Sequence, residues 1–460
     1  MYQHQQQEAK DGGHEYPDLL RLLNPSQLPH PERSTSTEWE AIFQPYLAAA
    51  LQHHGEYTQS VIEQHLEFFT THVVPWMGLG PSPDPTTGAL VPPYPSSLTN
   101  DHTPFELSCC WKGSKQNGRA VVRYVIDVIP STAEISRLAA LREALHVMRT
   151  LEDISQKQTR NEETFSLYAF PSLWWQITRK MIENEQQTHV QPCTRCSPSG
   201  VFVAFDLVAS AAFAKAYWLF PACQKTSTLL TSVEDTLRAA VETEPAMFPM
   251  LLENWDMVAA HMTANQDILQ PRMLSIDATK YPVPRVKVYA RRIFLTSNKF
   301  SEIEPHLSLG GRIPLPEPFR QACERLWTSL VGPEDSVPGK GPKYSLVLYD
   351  IPTGAPGEAP EKEVSAKLYI MCQEIPRVDS FIARKLYHNC PLLQDSELIK
   401  ELAASSEPTA FICEIGLAPG KHDTEVTTYC SPCWWSRKTW KDCVEEDGKL
   451  KKVRRVIAPR

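Results

Sequence analysis

The feature that most restricts this chain is a three-residue word that returns at matching places in successive segments. It reads KAY from Lys215 to Tyr217, KVY from Lys287 to Tyr289, KLY from Lys367 to Tyr369 and TTY from Thr427 to Tyr429. Successive side chains of a strand point to opposite faces, so a lysine and a tyrosine two positions apart share one face. The other face carries Ala214, Ala216 and Trp218, then Val286, Val288 and Ala290, then Leu368, Ile370 and Cys372. Sheets built from such strands are ionic and phenolic on one side and oily on the other. One such strand alone reads as the wet face of a half-buried antiparallel sheet. Three lysine copies at matching places argue for a shared enclosed environment, because solvent faces vary freely.

The surroundings of the word also repeat. "PFELSCCWK" and "AVVRYVIDVI" read as a hairpin, as do "VFVAFDLVA" with "AAFAKAYWLF", "RMLSIDATK" with "RVKVYARRIF", "YSLVLYDI" with "VSAKLYIMCQ", and "TAFICEIGL" with "EVTTYCSP". Helical material precedes each pair, giving a degenerate repeat of about 60 to 80 residues. Five hairpins predict ten antiparallel strands. The amphipathic helices are the partners available to the oily faces, so they belong outside and the polar faces inside. Closing the sheet removes both edges and leaves a lumen. The fold expected is therefore an α/β barrel, ten antiparallel strands around a central chamber with an outer ring of helices.

Two helices open the fold, "WEAIFQPYLAAALQHHG" and a second ending near Pro75; a later one, "PSTAEISRLAALREALHVMRT", has Ser131 and Glu134 at capping-box spacing. Residues 1–34 are polar and Gln-rich and read as a flexible tail, leaving 35–460 as one barrel domain.

Net charge is −8, which supplies no overall basic field for nucleic acid or an anionic membrane surface. No stretch approaches the roughly 18 apolar residues of a membrane span, and the first residues lack the pattern of a signal peptide. A cytoplasmic protein is the expectation. Of 12 cysteines, Cys193 with Cys196 and Cys430 with Cys433 have C-x-x-C spacing. The pairs lie far apart in sequence, unlike compact zinc modules, so free thiols rather than a metal site are expected.

A chamber lined by Lys215, Lys287, Lys367, Arg285 and Arg123 would repel itself if empty, which predicts a polyanionic ligand. Diphosphate suits it: arginine grips two oxygens at once and lysine supplies point charge. Tyr217, Tyr289, Tyr369 and Tyr429 can donate hydrogen bonds to it and offer π faces to a cation. Departure of diphosphate from an allylic carbon needs both, together with protection from water.

At these residues the chain resembles the fungal dimethylallyltryptophan synthase-type (DMATS) aromatic prenyltransferases, which adopt the ABBA prenyltransferase barrel. The resemblance runs from about residue 35 through "GEYTQSVIEQHLEFF", "VVPWMGLGPSP", "TPFELS", "VVRYVID", "FDL", "KAYWLFP", "RVKVYARR", "KLY" and "TTYCSP". It implies that Glu106 bonds the N–H of an aromatic substrate. It implies that Arg123, Lys215, Arg285, Lys287 and Lys367 bind diphosphate, and that Tyr217, Tyr289, Tyr369 and Tyr429 shield the allylic cation. The partners implied are dimethylallyl diphosphate and an aromatic small molecule, and a homodimer is left open. No metal or other cofactor is implied, in keeping with the absence of a D-D-x-x-D run.

Many relatives carry lysine directly after "FDL", suggested in some as the final proton acceptor, whereas this chain has Val208. The activity expected is transfer of a dimethylallyl group to an indole. A phenol, a xanthone or an indole diterpene is the alternative acceptor, and a non-catalytic isoprenoid-diphosphate-binding barrel is the rival of a different class.

Overall fold

The computed structural model describes residues 37–431, apart from 55–56, 84–89, 100–101, 114–119, 133, 158–164, 189–195, 279–283, 296, 333–341, 357, 359–361, 376, 405–411 and 421–422. The proposed tail of residues 1–34, Cys193, Cys433 and the first hairpin's loop lie outside these.

Ten strands form the barrel: β1 (Phe105–Trp111), β2 (Val121–Asp127), β3 (Val201–Val208), β4 (Ala211–Leu219), β5 (Leu269–Asp277), β6 (Arg285–Ile293), β7 (Tyr344–Ile351), β8 (Ser365–Met371), β9 (Ile412–Pro419) and β10 (Thr424–Cys430). Neighbours pair antiparallel in the order β4-β3-β2-β1-β10-β9-β8-β7-β6-β5, and β5 returns to β4 and closes the ring. Each predicted hairpin is an adjacent pair. A short strand, Ser166–Tyr168, is added parallel to β4 outside the ring. This is the closed ten-stranded barrel that the repeat predicts, and the ABBA architecture that the resemblance implies.

Register shows which side chains share a face. Tyr217 lies opposite Ser275, Ser275 opposite Lys287, and Lys287 opposite Asp350. Arg123 lies between Ser108 and Asp206, and Ser108 opposite Tyr429. The polar words therefore meet on the inner face. On β2 the inner Val121, Arg123 and Val125 keep part of their surface, whereas the outer Val122, Tyr124 and Ile126 are wholly buried. A half-accessible inner face beside a sealed outer one is what an internal chamber produces.

Helices cover the outer face: α1 (Thr37–His54), α2 (Gln59–Phe68), α3 (Arg137–Lys157), α4 (Pro171–Thr188), α5 (Thr226–Thr243), α6 (Leu251–Ala264), α7 (Glu317–Val331), α8 (Asp379–Asn389) and α9 (Glu397–Ala404). Trp218 of β4 is 0% exposed, and its indole N–H donates to Thr178 of α4 at 2.9 Å. None of the described helices is long and apolar enough to cross a membrane.

Two local expectations are corrected. Helix α3 starts at Arg137, not at the Ser131–Glu134 box: Ser136 Oγ accepts the N–H of Ala139 at 3.0 Å and donates to Glu134 at 2.6 Å, while Ser131 donates to Glu143 at 3.2 Å. A second serine, three residues before a free helical N–H, makes the better cap. The second helix leaves the α form at Phe68, before Pro75, through a π turn (Phe69–Val73) and a 3₁₀ turn (Val74–Met77) holding that proline. Proline has no N–H to give the preceding turn, and the tighter coil absorbs the loss.

Candidate active site

Alternation on three strands stacks the inner face into layers. Along β6 the inner positions run Arg285, Lys287, Tyr289; along β4 Lys215, Tyr217; along β8 Lys367, Tyr369, Met371. Cations make one layer and tyrosines the next; beyond the tyrosines stand Met371 on β8 and Arg291 on β6.

The tyrosine layer is continuous. Ring centroids are 5.9 Å apart for Tyr217 and Tyr289, 5.7 Å for Tyr289 and Tyr369, and 5.7 Å for Tyr369 and Tyr429. The Tyr429 hydroxyl donates to that of Tyr369 at 3.3 Å. Gly416 lies beneath the last pair: a Cβ there would stand 3.4 Å from each ring, so the missing side chain gives them room. Leu346, Leu348, Met371 and Met273 pack with these rings into one apolar cluster. Burial raises all four phenols, Tyr369 to about 12 and the others further, so each stays a neutral donor at any ordinary pH.

The cation layer differs from expectation. It is not a set of unopposed charges, because Asp206 on β3, Asp277 on β5 and Asp350 on β7 stand among the bases. Lys215 Nζ is 2.5 Å from Asp206 Oδ1, and Arg123 Nε is 3.1 Å from the same oxygen. Asp277, 0% exposed, pairs with Lys287 and, at 3.1 Å, with Arg285. Burial alone would raise Asp206, yet Arg123 and Lys215 hold it at about 2. Burial is likewise overcome at Asp277 by Lys287, Lys215 and Arg285, and at Asp350 by Lys362, Lys367, Lys287 and Arg285, so both carboxyls are lowered. The lysines shift the other way: burial draws Lys215, Lys287 and Lys367 down, with Arg285 adding to the effect at each. The bases of the chamber are thus neutralised in large part by Asp206, Asp277 and Asp350, which overturns the expectation of a self-repelling cluster. The residues that correct it were visible in "FDL", "SID" and "LYD", first strands of hairpins with an aspartate at inner parity.

The five predicted bases and four tyrosines all converge on one chamber. Glu106 lies on the same inner face of β1, two positions from the Ser108 that opposes Arg123, and is buried at 5% exposure. Val208 ends β3 and is 44% exposed, so no base stands at that position. Among the described residues, no group of three or more His, Cys, Asp or Glu side chains is placed to hold a metal ion.

A closed ten-stranded antiparallel barrel with helices outside and a polar, phenolic chamber inside defines the ABBA class of prenyltransferase. The family model described as tryptophan dimethylallyltransferase matches residues 35–396, and the chain belongs to that family, the DMATS prenyltransferases. It is an aromatic prenyltransferase.

Among curated relatives, it is 23% identical to prenyltransferase iacE of Pestalotiopsis fici over 361 residues, 76% of this chain and 77% of that one. It is 25% identical to 4-O-dimethylallyl-L-tyrosine synthase of Claviceps purpurea over 265 residues, 56% of this chain and 53% of that one. Among solved structures, AnaPT from Neosartorya fischeri superposes with a TM-score of 0.60 at 17% identity, covering 90% of this chain and 97% of that one. NotF in complex with brevianamide F and DMSPP superposes with a TM-score of 0.59 at 16% identity, covering 88% and 97%. At these identities the structures speak for the fold alone.

Proposed function

We propose that this enzyme moves a dimethylallyl group from dimethylallyl diphosphate to an indole, in a tryptophan-derived or indole-containing metabolite, by electrophilic aromatic substitution without a metal. The observation that carries the reading is the stacking of a basic layer directly on a continuous tyrosine layer in one enclosed chamber. Arg123, Lys215, Arg285, Lys287 and Lys367 hold the leaving diphosphate. Their positive charge, fixed before the reaction, stabilises the negative charge that develops as the carbon–oxygen bond breaks. Asp206, Asp277 and Asp350 keep the bases in place between turnovers and give up contacts when diphosphate arrives.

The allylic cation then lies among Tyr217, Tyr289, Tyr369 and Tyr429. Each π face contributes about 0.5–2 kcal/mol to a desolvated cation, and the rings with Leu346, Leu348 and Met371 exclude water. Glu106 accepts the acceptor's N–H and turns its ring toward the cation; proximity supplies much of the remaining acceleration.

A phenolic acceptor is the second reading, because a relative is named a 4-O-dimethylallyl-L-tyrosine synthase and Val208 stands where many relatives carry a lysine. There Glu106 would accept a phenolic proton. Purified protein incubated with dimethylallyl diphosphate and a panel of L-tryptophan, L-tyrosine, brevianamide F, xanthones and simple phenols, read by mass spectrometry, separates the two. One aromatic should gain the prenyl group, and excess EDTA should leave the rate nearly unchanged. Binding of the diphosphate with no transfer to any aromatic would instead favour a carrier, and loss of transfer in EDTA would overturn the metal-free step.

A further inference from the structure

Glu414 faces the chamber yet takes no part in the ion network. It lies on β9 opposite Tyr429 on β10 and Met371 on β8. Since β8 runs Lys367, Tyr369, Met371 along its inner face, Glu414 lies level with Met371, past Tyr369 and away from Lys367. Gly416, the neighbouring inner position of β9, sits under the rings of Tyr369 and Tyr429. Asp206, Asp277 and Asp350 are committed to cations, whereas the Glu414 carboxyl makes no hydrogen bond or ion pair among the described residues.

The titratable groups that sense it are Tyr369 and Tyr344 on the inner face and Cys372 outside, with Tyr429 directly across. Tyr344 also senses Glu374, and the Arg291 guanidinium lies 4.0 Å over its ring rather than on a carboxylate. Burial without a cationic partner raises the Glu414 carboxyl to about 7.

We propose that Glu414 is the catalytic proton acceptor of the transfer reaction. This rests on the layered donor site proposed above. The reaction must dispose of one proton, and the other described inner side chains on these strands cannot take it. The four phenols are protonated, Arg123, Lys215, Arg285, Lys287 and Lys367 belong to the diphosphate layer, Arg291 lies over the Tyr344 ring, three aspartates are paired with cations, Asp127 at the end of β2 is held by the hydroxyls of Ser96 and Ser199, and Val208 is a hydrocarbon. Glu106 is already engaged with the acceptor's N–H.

The step balances without a further reagent. The carbon–oxygen bond breaks with its electron pair leaving on diphosphate, and the acceptor atom then forms its bond to the allylic cation with an electron pair of its own. For attack through carbon, the ring C–H bond then breaks, its electrons restore the aromatic system, and the proton passes to a Glu414 carboxylate oxygen. For attack through a phenolic oxygen, the O–H proton takes the same path.

The test compares wild type, Glu414→Gln and Glu414→Asp, using dimethylallyl diphosphate and the panel aromatic that wild type prenylates. A general base contributes about 10²–10⁴-fold, so Glu414→Gln should lose at least about 100-fold in kcat, with KM for the donor within about threefold. Wild-type kcat should rise with pH through about 7 as Glu414 ionises. That limb should vanish in Glu414→Gln and return in Glu414→Asp with partial activity, and melting curves confirm that each variant folds. Glu414→Gln activity within about threefold of wild type, or a pH limb that survives it and disappears in Glu106→Gln, overturns the assignment. A wild type that prenylates nothing in the panel overturns the parent reading and takes this one with it.

Discussion

The two faces of the barrel strands are made by different physics. On the outer face, Trp218, Val286, Val288 and Leu368 are 0% exposed and held by shape against helices. On the inner face, Lys215, Lys287, Arg123 and Arg285 are held by charge, each against an aspartate of a neighbouring strand. Dispersion and burial on one side tolerate no vacancy, whereas paired charges on the other can exchange one partner for another. A barrel with both faces packed alike would be stable and inert.

The largest effects should separate the faces most sharply. Trp218→Ala empties an outer site and should cost about 3–5 kcal/mol in denaturant unfolding, while folded enzyme keeps its donor KM. Lys287→Ala should lower kcat/KM by about 10²–10³-fold by removing a preorganised charge from the leaving group. Inorganic diphosphate should correspondingly lose its power to raise the melting temperature of that variant. Equal loss of donor affinity in both variants would erase the distinction. Tyr289→Leu removes one π face but keeps an apolar filler, and should cost about 0.5–2 kcal/mol of transition-state stabilisation, read as kcat/KM.

A smaller, pH-dependent contrast exists within the inner face itself. Asp206 is held at about 2 by bases, whereas Asp127, also at inner parity on β2, has no base beside it. Its Oδ2 accepts from Ser96 at 2.7 Å and Ser199 at 2.5 Å, and burial raises it to about 7. Asp206, lowered in the fold, contributes stability that is complete above the unfolded value near pH 3.9 and is lost as pH falls through about 2. Asp127, raised in the fold, contributes stability that is complete below about pH 3.9 and is lost as pH rises through about 7. The melting temperature of Asp127→Asn relative to wild type should therefore climb between pH 4 and 7 and then level. A flat difference would mean that Asp127 is ionised throughout.

Most of the barrel was legible in the chain because period-two alternation is local: Lys287 and Tyr289 share a face whatever the rest of the protein does. Which strands neighbour one another was legible only through the hairpins; the closing pair, Lys215 opposite Asp277, joins separate hairpins and leaves no local signature. The aspartates are hard to read from the chain for a related reason. An aspartate in "LYD" looks like any strand-end carboxylate until its neighbour across the sheet is known. Glu414 was hidden among apolar residues in "FICEIGL", where one acidic residue reads as a wet position. The start of helix α3 is not legible locally because two serines compete for one cap, and the distance to the Ala139 N–H decides between them.

A crystal structure with a non-hydrolysable dimethylallyl thiolodiphosphate reaches the central claim most directly. The diphosphate should lie against Arg123, Lys215, Arg285, Lys287 and Lys367, with the dimethylallyl carbons inside the arc of Tyr217, Tyr289, Tyr369 and Tyr429. A diphosphate bound outside the barrel, or one whose prenyl chain points away from those four rings, would contradict it.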